Sequence, residues 1–231
     1  MTGAHSSDVV DSDAAALSRR LRAATASLHG RAERSGVVAD LLRGHGSTAG
    51  YALLLRNLLP GYRALEAALG RRRAAAPWLA FFATPAFARA AAIEADLAAL
   101  SGPAWATRLP LLPAGLRYAH RVSDAATEDG RLVAHAYVRV LGDLSGGQVL
   151  ARVLARSLGL EPAALRSLAF PDVPDLAAAL ARRRAAMDAA CPHFASADAT
   201  VREARVAFRL NIALAEAVRT AAAGPDSPPS L

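Results

Sequence analysis

The chain has no lysine: all 27 of its basic residues are arginine. A Schiff-base lysine, a P-loop lysine and a lysine general base are therefore excluded, and an anion held by a side chain must meet arginine or histidine. The single cysteine, Cys191, excludes an internal disulfide, a four-cysteine zinc site and an iron–sulfur cluster. Aromatic residues make up only 5% of the chain, while alanine and leucine fill nearly every segment, a balance that favours helix over strand. No run of about 18 uncharged apolar residues occurs, and the N-terminal MTGAHSSDVVDSDAAA lacks the basic and apolar regions of a secretory signal. These absences point to a soluble protein of the reducing cytoplasm, with no membrane partner. The sequence also lacks GxxxxGK[ST], GxSxG, HExxH and a strand-to-helix GxGxxG. None of the seven glutamates has a histidine three residues later, which disfavours a di-iron carboxylate site.

What is present suits one domain with a full core: 231 residues, 53% hydrophobic and 20% charged. The net charge of +7 comes from arginines spread along the chain with few aromatics beside them, which favours solvated helix faces plus one docking patch over nucleic-acid binding. Apolar residues recur at three- and four-residue spacing over roughly 13–34, 47–69, 85–100, 113–128, 131–158, 174–190 and 197–222. Gly44 and Gly46, Pro77, Gly102-Pro103, Pro110, Gly159 and Pro171 mark the breaks between them. No segment alternates with period two. The expectation is a monomeric, all-α, single multi-helix domain over 13–222, with loose ends at 1–12 and 223–231.

On the first helix, Leu17, Leu21, Ala24 and Leu28 form an apolar stripe. Beside it, Ser18, Arg22, Thr25, His29 and Glu33 share a second face, which puts His29 at the edge of the core. An imidazole that binds a metal through one nitrogen needs a group to hold the other, and a carboxylate at i+4 can do so. An arginine two turns back can meet a ligand carboxylate. The same residues also suit an ordinary boundary histidine paired with Glu33.

The segment RLVAHAYVRVLGDLSGGQVLARVLARSLG holds Gly142, Gly146 and Gly147 within six residues. Each interior glycine costs a helix about 1 kcal/mol relative to alanine. Arg139, Gly142, Asp143, Gly146, Gly147 and Leu150 follow the spacing of one helix face, with Tyr137, Leu141, Leu144 and Gln148 on another. A bare, bendable face that also carries Arg139 and Asp143 suits a flat ligand with a small polar reaction zone better than simple helix packing. A planar metal macrocycle fits between this face and His29, with one axial position on the histidine and room for a small gas on the other side.

The run LVAHAYVRVLGDLSGGQVL, Leu132 to Leu150, closely resembles the signature of the haem oxygenase family. The likeness extends through Thr25, His29, Arg31, Ala32 and Glu33, through Tyr62, Ala64, Leu65 and Glu66, and through Ala207, Phe208, Leu210, Asn211 and Ile212. It implies that haem b is both cofactor and substrate, cleaved with O2 to biliverdin, carbon monoxide and iron. Electrons would come from a soluble reductase or ferredoxin. By this resemblance His29 is the iron ligand and Glu33 its partner, while Gly142, Ser145 and Gly146 lie on the distal helix. Asp143 organises a distal water network that delivers protons during attack at the α-meso carbon, with Tyr137 and Arg139 supporting it; Phe208 and Asn211 complete the pocket.

Two positions depart from the family pattern. Val140 stands where many relatives carry a second tyrosine, which implies one hydrogen bond fewer in the distal region. Leu180 stands at a usual lysine position, so Arg22 and Arg184 are left to anchor the haem propionates. His135 reads as a structural histidine, Cys191-Pro192 as a helix end. Two other readings stand beside the enzyme: a haem carrier or sensor that does not cleave the ring, and a helical-bundle interaction protein in which the glycines serve packing alone.

Overall fold

Long alanine- and leucine-rich segments fold as the hydrophobic periodicity requires. A computed structural model describes residues 16–223, and among them there is helix and no strand. The helices are α1 (Leu17–Glu33), α2 (Gly36–Leu42), α3 (Thr48–Arg72), α4 (Ala90–Ser101), α5 (Trp105–Arg108), α6 (Pro113–Ala125), α7 (Asp129–Ala136), α8 (Gly142–Leu158), α9 (Leu176–Ala190) and α10 (Ala197–Ala223). The ends expected to be loose lie outside the described residues, apart from Ala223, which closes α10.

Two long helices organise the rest. α3 packs against α4, α6 and α10, and α10 against α1, α2 and α7. Leu59, Leu65, Tyr118, Val122, Leu132 and Ala207 are buried where they meet. Truncating Leu59, which is fully buried, to alanine would cost about 2–5 kcal/mol through lost transfer energy and a cavity. Helix starts are set locally: Ser47 accepts a hydrogen bond from the Gly50 N–H at 3.0 Å, and Asp175 from the Ala178 N–H at 2.8 Å. Gly36 has φ +55°, and a Cβ there would sit 2.2 Å from the carbonyl carbon of Ala215. Only glycine lets α2 begin directly on the backbone of α10.

The structure differs from the periodicity in four places. The short helix α2 fills the gap left between the first two blocks, and the block starting at 85 begins with a 3-10 turn, Pro85–Phe87, before α4. The stripe of α1 runs through Thr25 rather than Ala24, since Thr25 donates to the Leu21 carbonyl at 2.7 Å and so buries its hydroxyl satisfied. Most important, the segment read as one helix over 131–158 is α7 and α8 joined by a π-helical stretch, Tyr137–Leu141. Such widened turns re-aim the side chains that follow them, and here they lead into the glycines.

Candidate active site

A cleft opens between α1 on one side and the π-helical stretch with α8 on the other. Its inner lobe, about 450 Å³, reaches α3, α4 and α10; its outer lobe, about 580 Å³, opens toward α9. His29, Val138, Gly142, Ser145 and Phe208 line both lobes, so they form one space.

α1 presents His29 at the junction. Nδ1 lies 3.5 Å from Glu33 Oε1, one turn on, which leaves Nε2 for an incoming ligand. The Phe208 ring meets the imidazole edge-on, with centroids 5.9 Å apart. The pair with Glu33 that a boundary histidine would make is thus present, but on a ring that faces a cavity rather than packed core.

Across the cleft, Gly142 and Gly146 expose backbone. A Cβ built at either would meet nothing within 4 Å among the described residues. Packing between helices therefore does not account for these two glycines, which leave backbone open to the cleft. Gly147 is buried against Leu168, but a Cβ there would lie 3.7 Å from it, an ordinary contact distance, so packing does not demand glycine at this position either.

The inner lobe ends in a polar network drawn from four elements. Tyr62 of α3 donates to Asp143 Oδ2 at 2.6 Å. Arg139 donates through Nε to the Tyr62 hydroxyl at 3.2 Å, places Nη2 3.6 Å from Asp143 Oδ1, and donates through Nη1 to Asn211 Oδ1. Asn211 is held by its own amide, which donates to the Ala207 carbonyl at 2.7 Å. Burial pushes the Asp143 carboxyl up from the usual carboxylate range, with the Arg139 guanidinium and the Tyr62 hydroxyl pulling the other way. Burial works against the Arg139 charge, yet Tyr62 and Asp143 hold it firmly protonated. A buried carboxylate held so can keep a proton or release it to a hydrogen-bonded neighbour.

Arg89 also lines this lobe. Its Nη2 donates to the Ala86 carbonyl at 3.0 Å and its guanidinium lies 4.2 Å above the Phe170 ring. Glu66 Oε1 accepts from the Arg89 and Ala90 N–H groups at 2.6 and 2.9 Å, capping the start of α4.

The outer lobe is lined by Ser18, Arg22, Thr25, Tyr137, Leu180 and Arg184. Arg22 and Arg184 bring two cations to this lobe, and Leu180, one turn before Arg184 on α9, adds an apolar side chain to its lining. On α9, Arg183 is buried with its guanidinium 4.2 Å from the Phe87 ring, and burial lowers its pKa to about 10. That buried neighbour fixes the helix rotation which turns Arg184, 100° round, into the lobe.

Two expectations need correction. Tyr137 is not part of the Asp143 network: its hydroxyl lies 3.2 Å from Thr25 Oγ1 in the outer lobe. Tyr137 lines the outer lobe and Arg139 the inner one. Val140 likewise faces away, into a small apolar cluster with Phe87, Leu144 and Phe170, so valine there removes no hydrogen bond from the cleft. His135 is buried, with Nε2 3.0 Å from Glu203 Oε1, the structural role expected of it.

The family model described as "Heme oxygenase" matches residues 15–217, almost the whole chain. The chain belongs to the haem oxygenase family. Family membership makes it a haem-degrading oxidoreductase, and the likeness is broad. Heme oxygenase 1 of Homo sapiens is 36% identical over 204 residues, 87% of this chain and 70% of the relative. Heme oxygenase 1 of Nostoc sp. is 32% identical over 198 residues, 85% of this chain and 83% of the relative. Among solved structures, heme oxygenase-1 of the cyanobacterium Synechocystis sp., in complex with heme, superposes with a TM-score of 0.81 at 30% identity, covering 90% of this chain and 94% of that one. Heme oxygenase of Leptospira interrogans gives 0.80 at 27% identity, covering 88% and 100%. Among the described residues no helix is long and apolar enough to cross a membrane.

Residue spacing alone did not mark Tyr62 as the partner of Asp143, nor Arg89 as a wall of the cavity. One signal was available. The chain has only four tyrosines, and three of them, Tyr51, Tyr62 and Tyr118, are buried, where a hydroxyl needs a purpose.

Proposed function

We propose that haem lies in this cleft with His29 Nε2 on its iron, and that ring opening is directed by the four-residue network of the inner lobe. The observation that carries the reading is the opposition of His29 to the open backbone of Gly142 and Gly146 beside the Tyr62, Asp143, Arg139 and Asn211 cluster. The donor set fits the group: one imidazole, an apolar cleft, and two arginines at the mouth for carboxylates. Bound haem supplies the iron at which O2 is reduced and is itself the substrate, opened to biliverdin, carbon monoxide and iron.

The protein's own residues then divide the work. Glu33 holds Nδ1 of His29, fixing the ring and raising its basicity toward a metal. Gly142 and Gly146 admit the macrocycle to within contact of the backbone. Asp143 holds ordered water and passes protons through it, while Arg139 and Tyr62 keep the carboxylate in one orientation. Arg22 and Arg184 meet the propionates, assisted by the Tyr137 hydroxyl, and Ser145 lines the junction of the lobes. With Leu180 at the mouth, arginine supplies all the cationic part of the grip on the propionates, and this grip selects the α-meso carbon. Electrons arrive from a soluble reductase or ferredoxin that docks on an arginine-rich face of a monomeric, cytoplasmic enzyme.

The test is reconstitution with hemin, followed by reductant and oxygen in the presence of catalase. Loss of the Soret band with growth of biliverdin absorption is expected. A Soret band that persists identifies a carrier, and no spectral change on adding hemin rejects the site.

A further inference from the structure

The outer lobe is bordered by a contact that the chemistry above does not use. Asp188 of α9 accepts two hydrogen bonds from Ser18 of α1: the backbone N–H donates to Oδ1 at 2.7 Å and the hydroxyl to Oδ2 at 2.8 Å. The sequence of α1 explains why a distant acid serves here. Its N-cap is Ala16, whose side chain accepts no hydrogen bond, and its first turn holds Arg19 and Arg20 but no acidic residue. A helix start leaves N–H groups unpaired and carries partial positive charge. α1 therefore takes its capping carboxylate from α9.

The register of the two helices follows from that contact. Leu180, Arg184 and Asp188 recur at four-residue spacing on α9, and Ser18, Arg22 and Ala26 do the same on α1, so each set shares a helix face. Ser18, Arg22, Ala26, Leu180 and Arg184 all line the outer lobe. From the clasp α1 runs forward and α9 backward along this lobe, so Arg22 and Arg184 each stand one turn in from it, about 6 Å along their helices. Neither arginine makes an ion pair or hydrogen bond among the described residues. Asp188 follows Arg184 by four residues, a spacing at which ion pairs form along a helix, yet both its oxygens are turned to Ser18. The clasp thus fixes the two cations at matching depth on facing walls and keeps the carboxylate one turn away from pairing with either.

We propose that Asp188 is a positioning residue that determines specificity: by clasping Ser18 it sets the separation of Arg22 and Arg184, and so the seat of the two carboxylates of the tetrapyrrole. The proposal rests on the haem reading above. Asp188 acts through the two arginines and touches no ligand itself.

The first test needs no haem. Asp188→Ala uncaps α1, and the apo Tm is expected to fall by about 2–4 °C. Asp188→Asn keeps an oxygen for the Ser18 N–H and offers an amide donor to the Ser18 hydroxyl, so its Tm should stay within about 1 °C of wild type. An unchanged Tm in Asp188→Ala overturns the clasp. The second test uses the hemin-loaded protein. Asp188→Ala should raise the hemin Kd about fivefold, a partial loss of two charge-assisted contacts, and shift the ratio of biliverdin isomers away from that of wild type. Asp188→Asn should restore both. A destabilised Asp188→Ala that keeps the wild-type isomer ratio overturns the positioning role and leaves only a helix cap. An Asp188→Asn variant that fails as Asp188→Ala does places the effect in the charge near Arg184 and not in the clasp, which overturns the proposal as well. Wild-type protein that binds no hemin rejects the haem reading instead and leaves the apo result standing.

Discussion

Tyr62 and Asp143, 81 residues apart, are joined by a 2.6 Å hydrogen bond from hydroxyl to carboxylate. The bond ties α3 to α8 at the end of the cleft, and Arg139 contacts both partners. Tyr62→Phe leaves Arg139 to hold the carboxylate alone. Turnover is expected to fall about tenfold, the low end of what a positioned proton-transfer group contributes, while the hemin Kd stays within about twofold. Single-turnover kinetics and a hemin titration measure both, and an unchanged rate would show that the bond is structural only.

Asp143→Ala removes the one buried carboxylate that lines the inner lobe together with Arg139 and Asn211. Hemin should still bind through His29. Biliverdin formation should drop at least about 100-fold, with peroxide-driven oxidation of an added phenol rising in its place. Normal biliverdin yield from this variant would contradict the role given to Asp143.

Gly146 illustrates a conflict between stability and function. A Cβ there meets nothing within 4 Å, and an interior helical glycine costs about 1 kcal/mol relative to alanine. Gly146→Ala should therefore raise the apo Tm by about 2–4 °C and weaken hemin binding, by about tenfold or more, because the methyl enters the space of the macrocycle. Thermal melts of the apo protein and hemin titrations read the two effects separately. A variant that gains stability at no loss of affinity would mean that the ligand does not approach this face.

How much of this the sequence carried depended on whether a signal was local. Helix periodicity is local, and so six of the seven periodic blocks stand as single helices close to their expected ranges, the seventh being divided by the π-helical stretch. The pairing of His29 with Glu33 is local as well, as is the facing of Gly142, Asp143 and Gly146. The π-helical stretch was not legible, because Tyr137–Leu141 differs from an α-helix by the register of its hydrogen bonds and not by its composition. Nor was the bond from Tyr62 to Asp143, since which residue of α3 faces which of α8 depends on how α3 docks on α10.

Arg184 is the arginine of α9 that lines the outer lobe, opposite Arg22 on α1. Arg184→Gln keeps length and polarity but removes the fork that grips a carboxylate. The hemin Kd should rise about tenfold, and the product should become a mixture of biliverdin isomers as the macrocycle rotates in the cleft. Leu180→Lys in the same background should restore both in part. Chromatography of the isomers decides; a single isomer from Arg184→Gln would move the anchoring to Arg22 and Tyr137.

Glu203 ties α10 to α6 and α7 through three cationic or protonatable neighbours. It is 3% exposed by side chain and accepts from Arg121 Nε at 2.8 Å and Nη2 at 2.6 Å, from Arg131 Nε at 3.1 Å, and meets His135 Nε2 at 3.0 Å. Burial alone would raise its pKa, but the hydrogen bonds from His135 and Arg121 and their charges bring it down from 4.5 to about 2. A depressed carboxylate stabilises the fold above its unfolded pKa, and the contribution is lost as pH falls through the folded value. The window is thus pH 4.5 down to about 2, and the contribution is about 3 kcal/mol at neutral pH. Glu203→Gln should unfold in urea about 3 kcal/mol more easily at pH 7, with the gap to wild type closing as pH falls through this window. A gap that stays constant down to pH 2 would mean that shape and packing, rather than the carboxylate charge, hold α10 against α7, and with it the π-helical stretch that sets Arg139 and Tyr137 in their separate lobes.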